Sequence, residues 1–297
     1  MLKALKRDRY LLLIILPTVL YFILFHYVPM YGVIIAFKKF QPLKGIWGSP
    51  WVGFQYFDQF FHSIYFWRLL RNTFLLSLYS LLWGFPAPIL FALLLNELRE
   101  KLFKKVVQTV SYLPHFISIV VTAGMIVNFT SENGIVNMLV RVLGFEPIIF
   151  LNEPDWFRTI YVSSGVWQSF GWGSIIYLAA IAGINPQLYE AAEMDGARRL
   201  HKILYITLPA LMPTIIILLI LNVGQLMDVG FEKVILLYNP TTYETADIIS
   251  TYVYRKGIIN AEFSFAAAVG LFNNLINLVL LLAANTISRK VTDSSLW

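Results

Sequence analysis

Seven ionisable side chains crowd the stretch "NPQLYEAAEMDGARRLHKILYITLP", residues 185–209: Glu190, Glu193, Asp195, Arg198, Arg199, His201 and Lys202. Carboxylates near a histidine are the raw material of acid–base chemistry or of a metal site, but this spacing supports neither. No H-E-x-x-H occurs here or elsewhere, and no G-x-S-x-G elbow raises a nucleophilic serine. The four histidines stand apart at 26, 62, 115 and 201, too scattered to gather round a metal. Cysteine is absent, which removes thiolate nucleophiles, thiolate metal sites and disulfides together. The dipeptide Gly-Lys never appears either, so the chain has no P-loop of its own. We expect no catalytic residue, no metal and no enzyme.

What the stretch can do is present a surface. Asn185-Pro186 reads as a helix start, the amide accepting from free backbone N–H groups and the proline preset for the first helical position. Glu190 and Glu193 follow near the helix beginning, where negative charge suits the dipole. Gly196 then permits a bend, and a second helical piece, "ARRLHKILYITL", leads to Pro209. Ala191, Ala192 and Ala197 add little bulk, so another protein's surface can approach closely. The plain alternative is an amphipathic hairpin that caps a helix bundle.

The surroundings of this charged insert are apolar. The 297 residues are 58% apolar and only 13% charged, with a mean hydropathy of +0.67, whereas soluble domains run near 45–50% apolar and about 25% charged. This is an all-α, polytopic membrane protein, taken as one transmembrane domain over residues 1–297. Six segments have the roughly 20 apolar residues needed to span a hydrocarbon core: 11–36, 72–96, 106–129, 159–182, 209–230 and 264–287. The third is diluted by Ser111, Pro114, His115 and Ser118. The first follows a basic start, as a signal peptide does, but its apolar run is too long and no A-x-A site follows, so it reads as an uncleaved anchor. His26 and His115 fall inside these spans about one turn from a proline, a place for local hydrogen bonding at a kink or for a part in transport.

Lys and Arg orient the spans. With the N-terminus inside, thirteen of the 23 basic residues fall in the inner segments 1–10, 97–105, 183–208 and 288–297, beginning with Lys3, Lys6, Arg7 and Arg9. The other ten are spread over outer segments nearly twice as long. This positive-inside bias puts both termini and residues 185–209 in the cytoplasm, and it explains the net charge of +6 without nucleic acid. Outside, residues 46–70 hold ten aromatic side chains in 25 positions. Such a run suits a segment along the outer lipid headgroups, a contact with an external partner, or both.

The charged insert also carries a resemblance. "EAAEMDGARRLHKILYITLP" fits E-A-A-x-x-x-G-x9-I-x-L-P at Glu190, Ala191, Ala192, Gly196, Ile206, Leu208 and Pro209. It resembles the EAA loop of membrane permease subunits of bacterial ABC importers with the type I fold. "LLLIILPTVLYFILFHYVPMYGVIIAFKKF", "WVGFQYF" and "SYLPHFISIVV" look like the oligosaccharide and polysaccharide branch of the carbohydrate-uptake family, so the likeness covers nearly the whole chain. Ile203 departs from it, since an aromatic residue is frequent there. The resemblance implies that the loop, with Asp195 and Ala197, forms coupling helices that dock on a cytosolic ABC ATPase dimer. ATP and Mg would then belong to that partner, with no cofactor on this chain. It also implies a second homologous permease chain and an extracytoplasmic solute-binding protein. The rivals are an importer of a non-sugar solute and an ion-driven carrier, which would need intramembrane carboxylates on paired broken helices.

Sugars are recognised by amides, hydroxyls and flat rings. At 1.5 Å per helical residue, Gln168 lies roughly 14 Å below the outer surface, Asn222 and Gln225 about 20 and 24 Å above Pro209, and Asn273 and Asn277 about 14 and 20 Å below the outside. Asp228 comes out about 29 Å above Pro209, near the outer headgroups. Amides at that depth avoid lipid and mark either helix–helix bonds or a substrate pathway. Trp167, Trp172 and Tyr177 beside Gln168 complete the expected pathway set. The orientation itself is open to test. In this cysteine-free chain, Glu100→Cys and Arg199→Cys should react with thiol reagents only from the cytoplasmic side, and labelling of Arg199→Cys in intact cells would reject the topology.

Overall fold

The computed structural model describes residues 9–292. Lys3, Lys6 and Arg7, part of the inner basic set, lie outside them, as do residues 293–297. Among the described residues the chain is helical, with only two isolated β-bridges, Lys38 with Trp51 and Gln41 with Gly45. The helices used below are α1 (Arg9–Phe22), α2 (Gln55–Phe61), α3 (Phe66–Gly84), α4 (Pro86–Glu97), α5 (Lys101–Tyr112), α6 (Ile119–Thr130) and α7 (Ile135–Val142). They continue with α8 (Pro154–Ala182), α9 (Pro186–Met194), α10 (Arg199–Lys202), α11 (Leu208–Gly224), α12 (Phe231–Leu237), α13 (Ile249–Tyr254) and α14 (Phe263–Thr292).

The chain divides into two compact units, Met1–Ser63 with Val253–Phe272, and Ile64–Tyr252 with Asn273–Trp297. In the first unit, α1 runs on through a π-turn, Ile23–Tyr27, towards Pro29. A proline ring clashes with the carbonyl four residues back, and a wider turn relieves it without breaking the helix. The aromatic segment is folded: Phe37 stacks on Trp51 at 5.8 Å, and buried Phe60 packs edge-on to Phe265 and Phe272 at 6.3 and 5.6 Å. Trp47 and Trp51 are exposed.

The second unit is arranged around α8. Gly171 lies so close to α5 that a Cβ there would overlap the Ser111 carbonyl, while a Cβ at Gly173 would stand 3.1 Å from Pro88 on α4. Small residues let helix backbones approach in this way. They also lower the hydropathy of α8. Five stretches are long and apolar enough to cross a membrane: Leu13–Phe37, Phe66–Glu97, Ile119–Val142, Arg199–Gly224 and Phe263–Lys290. The 29-residue α8 has the length but is not one of them.

Two expectations are corrected. The third span does not run unbroken over 106–129. The helix stops at Tyr112, tightens into a 3-10 turn, Leu113–Phe116, with Pro114 second, becomes extended at Ile117 and restarts at Ile119 with Ser118 accepting from the Val121 N–H. The proline lacks the N–H that would continue the α-helical ladder, and the serine supplies the new cap. The fifth span, expected over 209–230, is longer at its start and shorter at its end. It begins at Arg199, traverses a π-turn, Ile203–Thr207, that accommodates Pro209, and leaves the helix at Gly224.

Candidate functional site

The first feature is the turn between α9 and α10. Asn185 Oδ1 accepts from the Gln187 N–H at 3.0 Å with Pro186 at the first helical position, as expected. At the other end Gly196 has φ +77°, its N–H donating to Glu193 O (3.0 Å), and the Ala197 N–H donates to Ala192 O (2.9 Å). This paired 5→2 and 6→1 closure is a Schellman ending, which favours glycine at the left-handed position. A Cβ at Gly196 would meet nothing within 4 Å, so backbone strain, not crowding, is what a side chain would encounter. Lys202 Nζ donates to Glu193 Oε1 at 2.5 Å across the bend, and this bond holds the exposed Glu193 carboxyl below its ordinary range. Tyr189 Oη and Thr207 Oγ1, 2.9 Å apart, tie α9 to the π-turn.

Glu190, Ala191, Asp195, Gly196 and Pro209 are exposed, while Ala192, Ala197, Ile206 and Leu208 are half-buried. Leu188, Met194, Leu200 and Tyr205 add exposed apolar surface, Met194 at 89%. The site is therefore a rigid corner with small, apolar and acidic groups facing outward. Such a surface can receive a partner.

The second feature is a cavity of about 450 Å³ among α3, α4, α8, α11 and the segment after α11. Its polar lining comes from Ser77, Ser80, Ser169, Asn222, Gln225 and Asp228, and its rings from Tyr161 and Tyr177. Such a lining offers donors, acceptors and flat apolar faces to a hydroxylated ligand. Of the expected pathway residues, the structure brings Tyr177, Asn222 and Gln225 to this cavity.

The other expected pathway residues are elsewhere. Gln168 Nε2 donates to Ile117 O (3.2 Å) and Thr122 Oγ1 (3.3 Å), where the third span breaks. Trp172 stacks on His115 at 4.7 Å and 2°, and Trp167 lines a separate apolar groove with Ile126 and Phe129. Asn277 Oδ1 accepts from the Met227 N–H at 2.8 Å, and Asn273 Nδ2 donates to Met227 O at 3.4 Å. Both amides thus hold the backbone of Gln225–Gly230 beside the cavity. Asp228, given a place near the outer headgroups by depth arithmetic, lines the cavity. The arithmetic assumed a helix to residue 230, whereas the helix ends at Gly224. A helix stop was hinted at by Gly224 and Gly230 flanking a short stretch that holds Gln225 and Asp228.

Behind the cavity wall, Lys233 Nζ donates to Tyr161 O at 2.8 Å and lies 4.7 Å from the Tyr161 ring centre. Burial pushes this ammonium down to about 8. The Tyr161 hydroxyl lies beside Gly230, 2.9 Å from where a Cβ on that residue would stand.

Known proteins match this chain over most of its length. A family model described as "Binding-protein-dependent transport system inner membrane component" matches residues 84–293. Protein LplB of Bacillus subtilis (strain 168) is 46% identical over 99% of this chain and 93% of its own length. The polygalacturonan/rhamnogalacturonan transport system permease protein YteP of the same organism is 47% identical over 98% and 91%. Among solved structures, a bacterial ABC transporter involved in import of the acidic polysaccharide alginate has a chain with TM-score 0.91 and 50% identity, covering 98% of both. A bacterial alginate ABC transporter in complex with alginate pentasaccharide-bound periplasmic protein gives 0.92 and 48%, covering 100% and 99%.

The two kinds of amide separate by experiment. Asn277→Leu strands the buried Met227 N–H and should cost about 1–3 kcal/mol of stability, read as a lower thermal midpoint in detergent. Asn222→Ala, on an exposed side chain bonded only locally to Leu218 O at 2.8 Å, should leave that midpoint within about 0.5 kcal/mol. Equal losses for both would reject the distinction.

Proposed function

Since the chain belongs to the family of binding-protein-dependent transport system inner membrane components, we propose that it is the permease subunit of an ATP-driven importer of an oligosaccharide or polysaccharide fragment. In this reading six helices cross the bacterial plasma membrane, α8 being the sixth, and both termini are cytoplasmic. A second homologous permease chain completes the pathway. A cytosolic ABC ATPase dimer binds ATP and Mg, and an extracytoplasmic binding protein delivers the glycan. This chain then contributes the path and the mechanical link, and no catalysis or cofactor. Relatives named for polygalacturonan/rhamnogalacturonan and alginate transport support the solute class.

The observation that carries the reading is the Schellman-closed corner at Gly196, with Glu190 exposed on α9 and α10 continuous with α11. A corner that is rigid, exposed and joined without a break to a spanning helix suits transmission of a push from a docked partner. Tyr177, Asn222 and Gln225, joined by Asp228, are the residues we assign to solute contact. Gln168, Asn273 and Asn277 are assigned to holding backbone in place.

The test is ATPase activity of the reconstituted complex with and without glycan-loaded binding protein. Gly196→Val should strain the left-handed turn and misplace α10, and Glu190→Lys should oppose whatever positive charge meets α9. Both variants should insert normally, with glycan affinity of the binding protein unchanged. Stimulated hydrolysis and uptake should fall together, by about tenfold or more. Full stimulation in both variants would reduce the corner to a membrane cap and remove the main support for this function.

A further inference from the structure

The cavity has one charged lining side chain, and it is negative. Asp228 stands among the hydroxyls of Ser77, Ser80 and Ser169 and the amides of Asn222 and Gln225. The cation nearest in sequence, Lys233, is 6% exposed, directs its ammonium to Tyr161 O, and is not part of the lining. Asp228 is also held in position. Its own N–H donates to Gln225 O at 2.9 Å, Asn273 Nδ2 lies 3.5 Å from Oδ1, and the preceding residue is fixed by Asn277. A loop residue anchored on both sides of its peptide presents its carboxylate in one direction.

Such a group has a definite preference. A carboxylate accepts sugar hydroxyls in charge-assisted bonds, about twice as strong as neutral ones. The same carboxylate opposes a ligand carboxylate, because like charges brought together in a partly desolvated cavity are costly. Resting on the proposed import function, we infer that Asp228 is a specificity-determining residue that makes this chain's cavity favour uncharged, hydroxyl-rich glycan segments over uronate-bearing ones. This goes against the simplest transfer from relatives named for acidic glycans, and it rests on the lining alone. Asn273 and Asn277 are then positioning residues, acting through the Met227–Asp228 backbone.

The experiment compares a galacturonate trimer with its fully methyl-esterified form, which matches it in length and differs mainly in charge. ATP-dependent uptake of each is measured in proteoliposomes holding the complete complex and its binding protein. Because permease substitutions leave the binding protein's own selection untouched, the acid-to-ester uptake ratio of a variant relative to wild type reports the permease alone. Asp228→Asn should raise that ratio roughly tenfold, and Asp228→Glu should keep it near the wild-type value. Ser80→Arg adds a compensating cation to the same cavity without touching the Asp228 loop, and it should raise the ratio as well. It therefore covers the case in which Asp228→Asn fails to assemble. An unchanged ratio in the assembled variants overturns the inference while leaving the import function standing. If the wild-type complex imports the acid but not the ester, the inference is overturned while the import function stands.

Discussion

Every backbone group freed inside an apolar protein must be satisfied by the chain itself, and the arrangement of this molecule reflects that constraint. The helices of the second unit break at two informative points, Leu113–Ser118 and Gln225–Gly230. At each, an amide on a neighbouring helix takes up what the break releases. Gln168 on α8 donates to Ile117 O at the first, and Asn277 on α14 accepts from the Met227 N–H at the second. Other loops obey the same rule. Buried Asn137 donates to Ser131 O and Ile148 O and accepts from the Ile148 N–H, and buried Asn72 donates to Glu244 O and Asp247 O. At these four places an amide substitutes for backbone where regular structure stops.

Prolines are handled differently, because they remove a donor and add a clash. Ahead of both Pro29 and Pro209 the helix widens into a five-residue π-turn and continues. Pro114 instead sits in a true interruption. Ser118 supplies the cap from which the chain restarts after Pro114. Pro17 and Pro213, each followed at once by a threonine, stay inside α1 and α11, so a nearby hydroxyl alone does not break a helix here.

The sequence disclosed part of this arrangement and not the rest. The corner at Gly196 was legible in detail, from the Asn185-Pro186 start to the left-handed glycine, because caps and turns are decided by residues within a few positions of each other. The apolar, all-helical class was legible from composition. The use of the amides was not. Depth along a helix places Gln168, Asn273 and Asn277 beside Asn222 and Gln225, but whether an amide faces a cavity or a broken neighbour depends on where other helices end. Asp228 was misplaced because its helix stops four residues before it. The modest hydropathy of α8 was a signal too: small residues such as Gly171 and Gly173 stand where α5 and α4 approach its backbone closely.

The same continuity that blurred the fifth span gives the proposed function its mechanical sense. From Arg199 to Gly224 the chain is one uninterrupted helical stretch, about 39 Å long at 1.5 Å per residue. Its start is fastened to the corner by Lys202–Glu193 and Tyr189–Thr207, and its far end carries Asn222 into the cavity, with Gln225 and Asp228 just beyond. Coupling between distant sites requires an element whose arrangement both sites bias. A displaced corner would tilt this rod, and its far end cannot move without straining the bonds that Asn273 and Asn277 make to Met227. Under the proposed function, the amides that satisfy the broken backbone are thus also the points at which a push from the ATPase side would alter the cavity. The helix break beside the ligand would then be what allows the rod's end to shift while the rod itself stays rigid.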